Sequence, residues 1–419
     1  MRTPIIFLVC VICCLSASWK SAAQSAISLQ KALQQARSNN TTLKGEQYNI
    51  NIAETDVITA RLRPNPKLNN QTLLLANHYY YPENTNWSNG RNRQVWWQLT
   101  KTIQLPAQRQ YKMEYAQQNA TLAQKNYAET ERNLFYDVAN KWLDLWIAQK
   151  QLDILYRANK NIDSLAYINK LRYEKQVITQ TDLLRTQLLA DQYTIQIKTA
   201  ERNYINELKT LRSYIGSNDS INIDTTDNVV FSLPPQLDSL IKEAFDKRAD
   251  IKVAQSEVEV ANANIKLQKS LAFPQPELGV IYNPQNTIPY IGFYGTIDLP
   301  FFSRNQGQIK KSYFIKQQNE QTLKRIESKI EREVSIAYGT YLTQQSNIEN
   351  YKQILVQSER ILSSVRYSYL KGSTTIIDFL EAQRSWLDTR QQFYDTELEY
   401  RKATIELLFV TGLINQLAQ

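Results

Sequence analysis

The sequence predicts a mainly α-helical protein made of long helical hairpins, with a smaller part made of short β-strands. The hairpins are predicted by two long stretches, Ala107 to Tyr214 and Phe301 to Thr411, the first of which contains neither glycine nor proline. The strands are predicted by two segments in which the apolar period changes from that of a helix to that of a strand. The same plan occurs twice along the chain, which predicts a duplicated architecture.

Apolar residues in the first stretch recur at steps of three, four and seven. They are Leu134, Val138, Trp142, Leu145, Ala148, Leu152, Leu155, Ile162 and Leu165. Such steps put side chains on one stripe of a helix, as in coiled coils. A helix from about Pro106 to about Tyr173 would be roughly 100 Å long. A β-branched interruption and a helix N-cap at residues 177–182 predict the first return, and residues 371–374 predict the second.

The N-terminus has the pattern of a secretory signal over residues 1–23. Arg2 precedes an apolar run at 4–15, and small residues at 21–23 precede Gln24. An uncleaved anchor helix is the alternative, although the run is shorter than the roughly 20 residues that a membrane span needs. No longer apolar run follows, so any membrane insertion should use β-strands.

The cysteines Cys10, Cys13 and Cys14 all lie inside this signal, so the mature chain should have no disulfide and no thiolate site. The residues that precede them are not the small residues of a lipidation motif. Loss of Arg2 and Lys20 from the 49 basic residues leaves 47 against 40 acidic ones. This mild and dispersed excess does not predict nucleic-acid binding.

Catalytic and metal-binding patterns are absent from the sequence. His78 is the only histidine and Met113 the only methionine after Met1, so soft metal ligands are lacking. No nucleophile triad or phosphate loop is present. We therefore predict no enzyme activity, no cofactor and no metal site.

The duplication is clearest at Pro64 to Leu68 and Pro274 to Leu278, which are offset by 210 residues. It predicts a first repeat over 24–216, with a β-hairpin at about 67–105 and a long helical hairpin at about 106–216. A polar crossing segment at 217–235 leads to the second repeat over 236–419. There the β-hairpin lies at about 275–300 and the helical hairpin at about 303–415.

Each β-hairpin contains one strand in which apolar and polar residues alternate, Val95 to Leu105 and Tyr290 to Leu299. Their partners are Leu68 to Tyr81 and Leu278 to Asn283. Alternation over about 9–11 residues with many aromatic residues nearby is typical of a transmembrane β-strand. A soluble sheet packed against helices is the alternative. Four strands cannot close a membrane barrel, so several copies of the chain would have to share one.

The segments 369–383 and 407–412, with the paired Pro-x-Pro motifs, resemble the TolC-like outer-membrane efflux factors of Gram-negative bacteria. Residues 299–309 resemble the branch that serves cobalt-zinc-cadmium and copper efflux. The resemblance implies a homotrimer with a 12-stranded β-barrel in the outer membrane and an α-barrel in the periplasm. It also implies a passive duct that works with a periplasmic adaptor and an inner-membrane pump.

The same resemblance implies a gate at the periplasmic tip. Asp378 and Glu381 stand at the positions of the carboxylate constriction, and Asp182 and Tyr369 at those of a hydrogen-bonded pair. Two positions depart from the family pattern: Thr374 replaces a basic residue, and Gln176 replaces the turn glycine of the first hairpin. An alternative for the acids is that they only complement a helix dipole.

A soluble periplasmic coiled-coil scaffold or adaptor is the alternative from another class of protein. It would explain the long helices. It would not explain two strand pairs with the alternation of membrane strands.

Overall fold

The computed structural model describes residues 26–217, 221–227, 236–284 and 288–419. The predicted signal at 1–23 lies outside the described residues, and so does most of the crossing segment at 217–235. The helices are α1 (Leu29–Asn39), α2 (Thr41–Arg61), α3 (Pro106–Glu174), α4 (Gln180–Ile215), α5 (Leu237–Lys247), α6 (Ala249–Ser270), α7 (Gln306–Leu370) and α8 (Ile376–Val410). The strands are β1 (Ala26–Ile27), β2 (Lys67–Leu74), β3 (Arg93–Thr102), β4 (Asn222–Ile223), β5 (Glu277–Asn283) and β6 (Tyr290–Thr296). Short 3₁₀ helices occupy His78–Tyr80, Gly90–Asn92 and Ile414–Ala418.

The long helices confirm the periodicity argument. Helix α3 ends within one residue of its predicted end, and both predicted turns lie between long helices. Among the described helices, none combines the length and the apolar character that crossing a membrane would require.

The chain divides into two compact units, and each takes segments from both sequence repeats. The first unit comprises Met1–Thr41, Arg132–Ala244 and Glu333–Gln419. The second comprises Thr42–Glu131 and Phe245–Arg332.

In the first unit, α1 packs against α4 and the C-terminal 3₁₀ helix. Strands β1 and β4 pair in parallel beside it. The buried indole of Trp142 donates its Nε1 proton to the carbonyl oxygen of Ile27 at 3.1 Å. This bond satisfies the polar atom of a large core side chain and ties α3 to the start of the described chain.

The C-terminal parts of α3 and α7 and the N-terminal parts of α4 and α8 share one apolar core in the first unit. Its buried members are Leu152, Ile154, Leu155, Ala158, Ile162, Leu165, Leu189, Tyr193, Ile197, Tyr369, Ile376, Phe379, Leu380, Trp386 and Leu387. The two helical hairpins therefore pack together here through the apolar stripes that the sequence predicted.

The second unit contains an antiparallel sheet in the order β2-β3-β5-β6 among the described residues. In the same unit, α2 and α3 pack against each other through a small apolar cluster of Val57, Ala60, Ala116 and Ala120. The buried Gln108 amide donates to the carbonyl oxygens of Ser270 and Phe273, each at 2.7 Å. This links the start of α3 to the turn that precedes β5.

The register of the sheet aligns its apolar residues in rows across the strands. One row runs through Leu68, Leu99, Val280 and Phe293, and the next through Trp97, Tyr282 and Ile291. All of these side chains are exposed, and Phe293 reaches 95% exposure. The sheet thus has one continuous apolar face that the described part of the chain leaves exposed.

Three predicted strands extend beyond their ends in the structure, and the one predicted to end at Leu105 ends at Thr102. The strand predicted to run to Tyr81 ends at Leu74, because the Asn77 side chain accepts a bond from the Tyr79 amide and starts a 3₁₀ turn. The strand predicted to end at Leu299 ends at Thr296, opposite Glu277 at the start of β5. Pro276 precedes Glu277, and a proline has no N–H with which to extend the ladder.

Candidate functional site

The two hairpin turns of the first unit are built alike. Thr179 caps α4 and Thr375 caps α8, each accepting a hydrogen bond from a backbone amide three residues on, at 3.2 Å. The carboxylates of Asp182 and Asp378 accept bonds from these threonines in return. Both turns therefore form complete capping boxes, which fix where the second helix of each hairpin begins.

Three residues before each capping box, the chain turns through the left-handed region. Gly372 has a φ of 76° and Gln176 a φ of 59°. Gln176 thus adopts the left-handed conformation that suits the turn glycine of the family pattern. The Val177 amide donates to the carbonyl of Arg172 at 2.8 Å, and the Ser373 amide donates to that of Ser368 at 2.9 Å. A non-glycine residue costs about 1–2 kcal/mol in this region, so the first turn is the more strained one.

Asp378 is exposed, and its Oδ2 atom accepts three hydrogen bonds. The donors are the hydroxyls of Thr374 at 2.6 Å and Thr375 at 2.7 Å, and the Thr375 amide at 3.1 Å. The Thr374 hydroxyl, followed by the Thr375 donors, lowers the pKa of Asp378 below its ordinary value. Glu381 is exposed three residues later in α8, so the two carboxylates lie one above the other on the same helix face.

Asp182 serves its own helix. Its Oδ2 accepts from the Thr179 hydroxyl at 2.8 Å, and its Oδ1 lies 3.9 Å from the Arg185 guanidinium. Its carboxylate therefore holds the N-terminus of α4 and a neighbouring charge on the same helix.

The expected bond between Tyr369 and the Asp182 carboxylate is wrong for this structure. The Tyr369 hydroxyl donates its single proton to Oδ1 of Asn169 at 2.7 Å. Nδ2 of Asn169 donates to the Thr186 hydroxyl at 2.9 Å, and that hydroxyl donates to the backbone carbonyl of Asp182 at 3.0 Å. Tyr369 is thus connected to Asp182 through two buried side chains, and only to its backbone.

This chain of bonds, which we name the tip relay, consists of Tyr369, Asn169 and Thr186. All three side chains are buried, and they come from α7, α3 and α4. The Tyr369 ring stacks on Phe379 with centroids 5.7 Å apart. The Arg172 guanidinium also lies over the Tyr369 ring, 5.1 Å from its centroid. The relay therefore joins the first helical hairpin to the second through buried polar contacts.

Asn169 and Thr186 were not predicted as site residues from the sequence. A signal for Asn169 was present, because it stands four residues after Leu165 on the apolar stripe of α3. A polar residue at such a position needs a partner in the core and often fixes the pairing of helices. The partner itself lies 200 residues away and could not be read from the stripe.

Among the described residues, no group of three or more His, Asp or Glu side chains could hold a metal ion. His78 is exposed in a 3₁₀ helix of the second unit, and Met113 packs against the apolar cluster of that unit.

Known proteins share this arrangement of long helical hairpins and a four-stranded sheet. The crystal structure of CusC matches with a TM-score of 0.76 at 18% identity, over 92% of each chain. The fold is therefore that of the outer-membrane channels. The outer membrane efflux protein family model matches residues 32–217 and 240–413, and this chain belongs to that family.

Two curated relatives agree with this assignment. Outer membrane protein TolC of Vibrio cholerae is 21% identical over 73% of this chain and 73% of its own length. The cation efflux system protein CusC of Escherichia coli K12 is 25% identical over 69% of this chain and 67% of its own length. The protein is an efflux channel of the outer membrane, in a family of channels and not of enzymes.

Replacing Tyr369 by Phe should lower the free energy of unfolding by about 1–3 kcal/mol, because Asn169 Oδ1 is left buried without a donor. The ring and its stack on Phe379 are retained. Tyr367→Phe is the matched control, since Tyr367 is exposed on the same helix and should change stability by less than about 0.5 kcal/mol. Denaturant unfolding of both variants measures the difference; equal stabilities would show that the tip relay adds no stability.

Proposed function

We propose that three copies of this chain form the exit duct of a tripartite efflux machine, with a periplasmic adaptor and an inner-membrane pump as partners. The observation that carries this proposal is the sheet of the second unit. Its strand order leaves β2 and β6 as edges, and its apolar face is exposed. The duct performs no chemistry, and the pump supplies the energy for export.

An open sheet edge is not tolerated in lipid, because each unpaired N–H and C=O group costs several kcal/mol there. Single-chain membrane barrels begin at about eight strands, twice the number that the described residues provide. Pairing β6 of one copy with β2 of the next removes both edges. Three copies would give a closed barrel of twelve strands.

Helix α4 carries a second uncovered surface that a neighbouring copy would cover. Leu184, Leu188 and Ile195 follow one another at helical spacing and are each more than half exposed. They lie on the side of α4 opposite the buried Leu189 and Tyr193. Packing against the next copy would bury this stripe and extend the helical layer into a closed tube.

The tip relay would hold the two helical hairpins together in the closed state of this duct. Tyr369 is the member of the relay that lies on the second hairpin. Opening by separation of the hairpins would break the bond from Tyr369 to Asn169. Because no member of the relay is an acid or a base near neutral pH, its strength should not depend on salt. Asp182 contributes through its backbone carbonyl and the helix cap.

Asp378 and Glu381 would place six carboxylates around the constriction of a trimer. Such a ring raises the local concentration of cations and makes the duct selective for them. We propose metal cations as the cargo, supported by the resemblance of residues 299–309 to metal efflux channels. The relative CusC is described as a cation efflux system protein. The chain after residue 23 has no cysteine, so the ions would pass without soft ligands.

Tyr369→Phe and Thr186→Val should each raise the open fraction of single channels in planar bilayers. Tyr369→Phe removes one hydrogen bond of the tip relay and Thr186→Val removes two. A loss of about 1.4 kcal/mol shifts a closed-to-open equilibrium about tenfold. Tyr367→Phe should leave the conductance unchanged. If Asp182→Asn opened the channel while the two relay variants did not, the carboxylate and not the relay would be the restraint.

Asp378→Asn and Glu381→Gln should each lower the ratio of cation to anion permeability, while Glu349→Gln on α7 should not. In a Glu381→Gln variant, Asp378 is the remaining carboxylate of the pair. Its cation selectivity should persist as the pH falls through 3.8, the ordinary pKa of an aspartate, because the pKa of Asp378 is lowered. Its charge is lost only below that lowered pKa. Thr374→Val removes the leading cause of the shift and should move the loss to higher pH. Reversal potentials measured against pH test both statements; an unchanged profile in Thr374→Val would contradict them.

A further inference from the structure

A cavity in the first unit lies between α3, α7 and α8. Its volume is about 270 Å³. A dry cavity of about 150 Å³ is enough to hold benzene, so a ring system of one or two fused rings fits here. Ser164, Ser363 and Arg366 line it and are exposed, so it opens to solvent.

The wall of the cavity is aromatic. Tyr369, Phe379 and Trp386 line it, and each is at most 4% exposed. Tyr369 and Phe379 present a stacked pair, while the Arg390 guanidinium lies 5.7 Å from the centroid of the Trp386 ring. Flat apolar walls of this kind favour an aromatic ligand.

A buried hydrogen-bond donor in the cavity lacks an acceptor. Gln383 lines the cavity at 1% exposure, and its Nε2 has no hydrogen-bond partner among the described residues. The Tyr193 hydroxyl also lacks a partner there, so the two groups do not satisfy each other. Burial raises the pKa of Tyr193 to about 12, and the nearby Gln383 amide opposes this shift without reaching the geometry of a hydrogen bond. A buried unsatisfied donor is costly, and an acceptor on a ligand would remove that cost.

The charge at the mouth is positive. Glu359 forms an ion pair with Arg390, while Arg366 forms no ion pair with any described residue. Arg366 is therefore the available charge at the entrance, and it favours an anion.

From these four features we infer that the cavity is a binding site for a small aromatic carboxylate. The ring lies against Phe379 and Trp386, and the carboxylate supplies both the acceptor for Gln383 and the charge for Arg366. The site is built entirely from the helices of one chain. A bound ligand contacts Tyr369 and so braces α7 and α8 against α3.

The test is binding of indole-3-acetate to the full chain purified in detergent, measured by calorimetry. Indole-3-acetamide keeps the shape of this probe and removes its charge. We expect the acetate to bind about tenfold more tightly than the amide. Equal affinities for the two probes, or no binding of either, would overturn the assignment.

Gln383→Leu should weaken binding of the acetate about tenfold while leaving the melting temperature unchanged or higher, because it replaces a donor that has no partner. Gln357→Leu is the matched control, since Gln357 is exposed on α7 and does not line the cavity. Arg366→Gln and Ser363→Trp alter only exposed residues at the mouth, and both should reduce binding. Affinity that is the same in all four variants would place the probe elsewhere on the chain and contradict the proposal. Channel conductance plays no part in this readout, so its outcome is independent of the duct.

Discussion

The structure depends on one constraint, which is that a four-stranded sheet with an exposed apolar face has two edges that need partners. Strand β2 at one edge and β6 at the other carry unpaired backbone groups. Phe293 of β6 projects from the apolar face of the sheet. Water can satisfy such groups, but lipid cannot. In the proposed duct, these edges pair with other copies of the chain. The proposal also accounts for the exposed stripe on α4, because subunits that share a barrel would bring their helices together.

The hairpin tips show how one local motif can serve two purposes. Both turns use a threonine and an aspartate to start the second helix, so Asp182 and Asp378 are occupied in helix capping. The carboxylate of Asp182 is consequently not the partner of Tyr369. Asn169 takes that place, and an amide can accept from the tyrosine and donate to Thr186 at the same time, which a carboxylate cannot. The hydrogen bond between Tyr369 and Asn169 is therefore neutral and buried, while the carboxylates of Asp182 and Asp378 cap their own helices.

Features set by local chemistry were predicted from the sequence, and features set by tertiary pairing were not. The bounds of α3 and the turn before α4 followed from an unbroken apolar stripe and from the β-branched interruption and N-cap at residues 177–182. Strand ends were placed too far along the chain, because Asn77 starts a turn and Pro276 ends a ladder. The bond from Tyr369 to Asn169 joins residues that are 200 positions apart, and which helix faces meet there is decided by packing. The cavity beside Gln383 likewise exists only once three helices are assembled.

Disulfide trapping between the two edge strands tests the shared barrel most directly. Residues 24–419 contain no cysteine, so only introduced pairs can cross-link. Asn69→Cys on β2 would be combined in turn with Tyr290→Cys, Gly292→Cys or Tyr294→Cys, which share a face of β6 and allow for the unknown register between copies. Oxidation in outer membranes should give a ladder of cross-linked species that ends at three chains for at least one pair. Monomers alone for every pair, or a ladder that continues past three, would contradict the account.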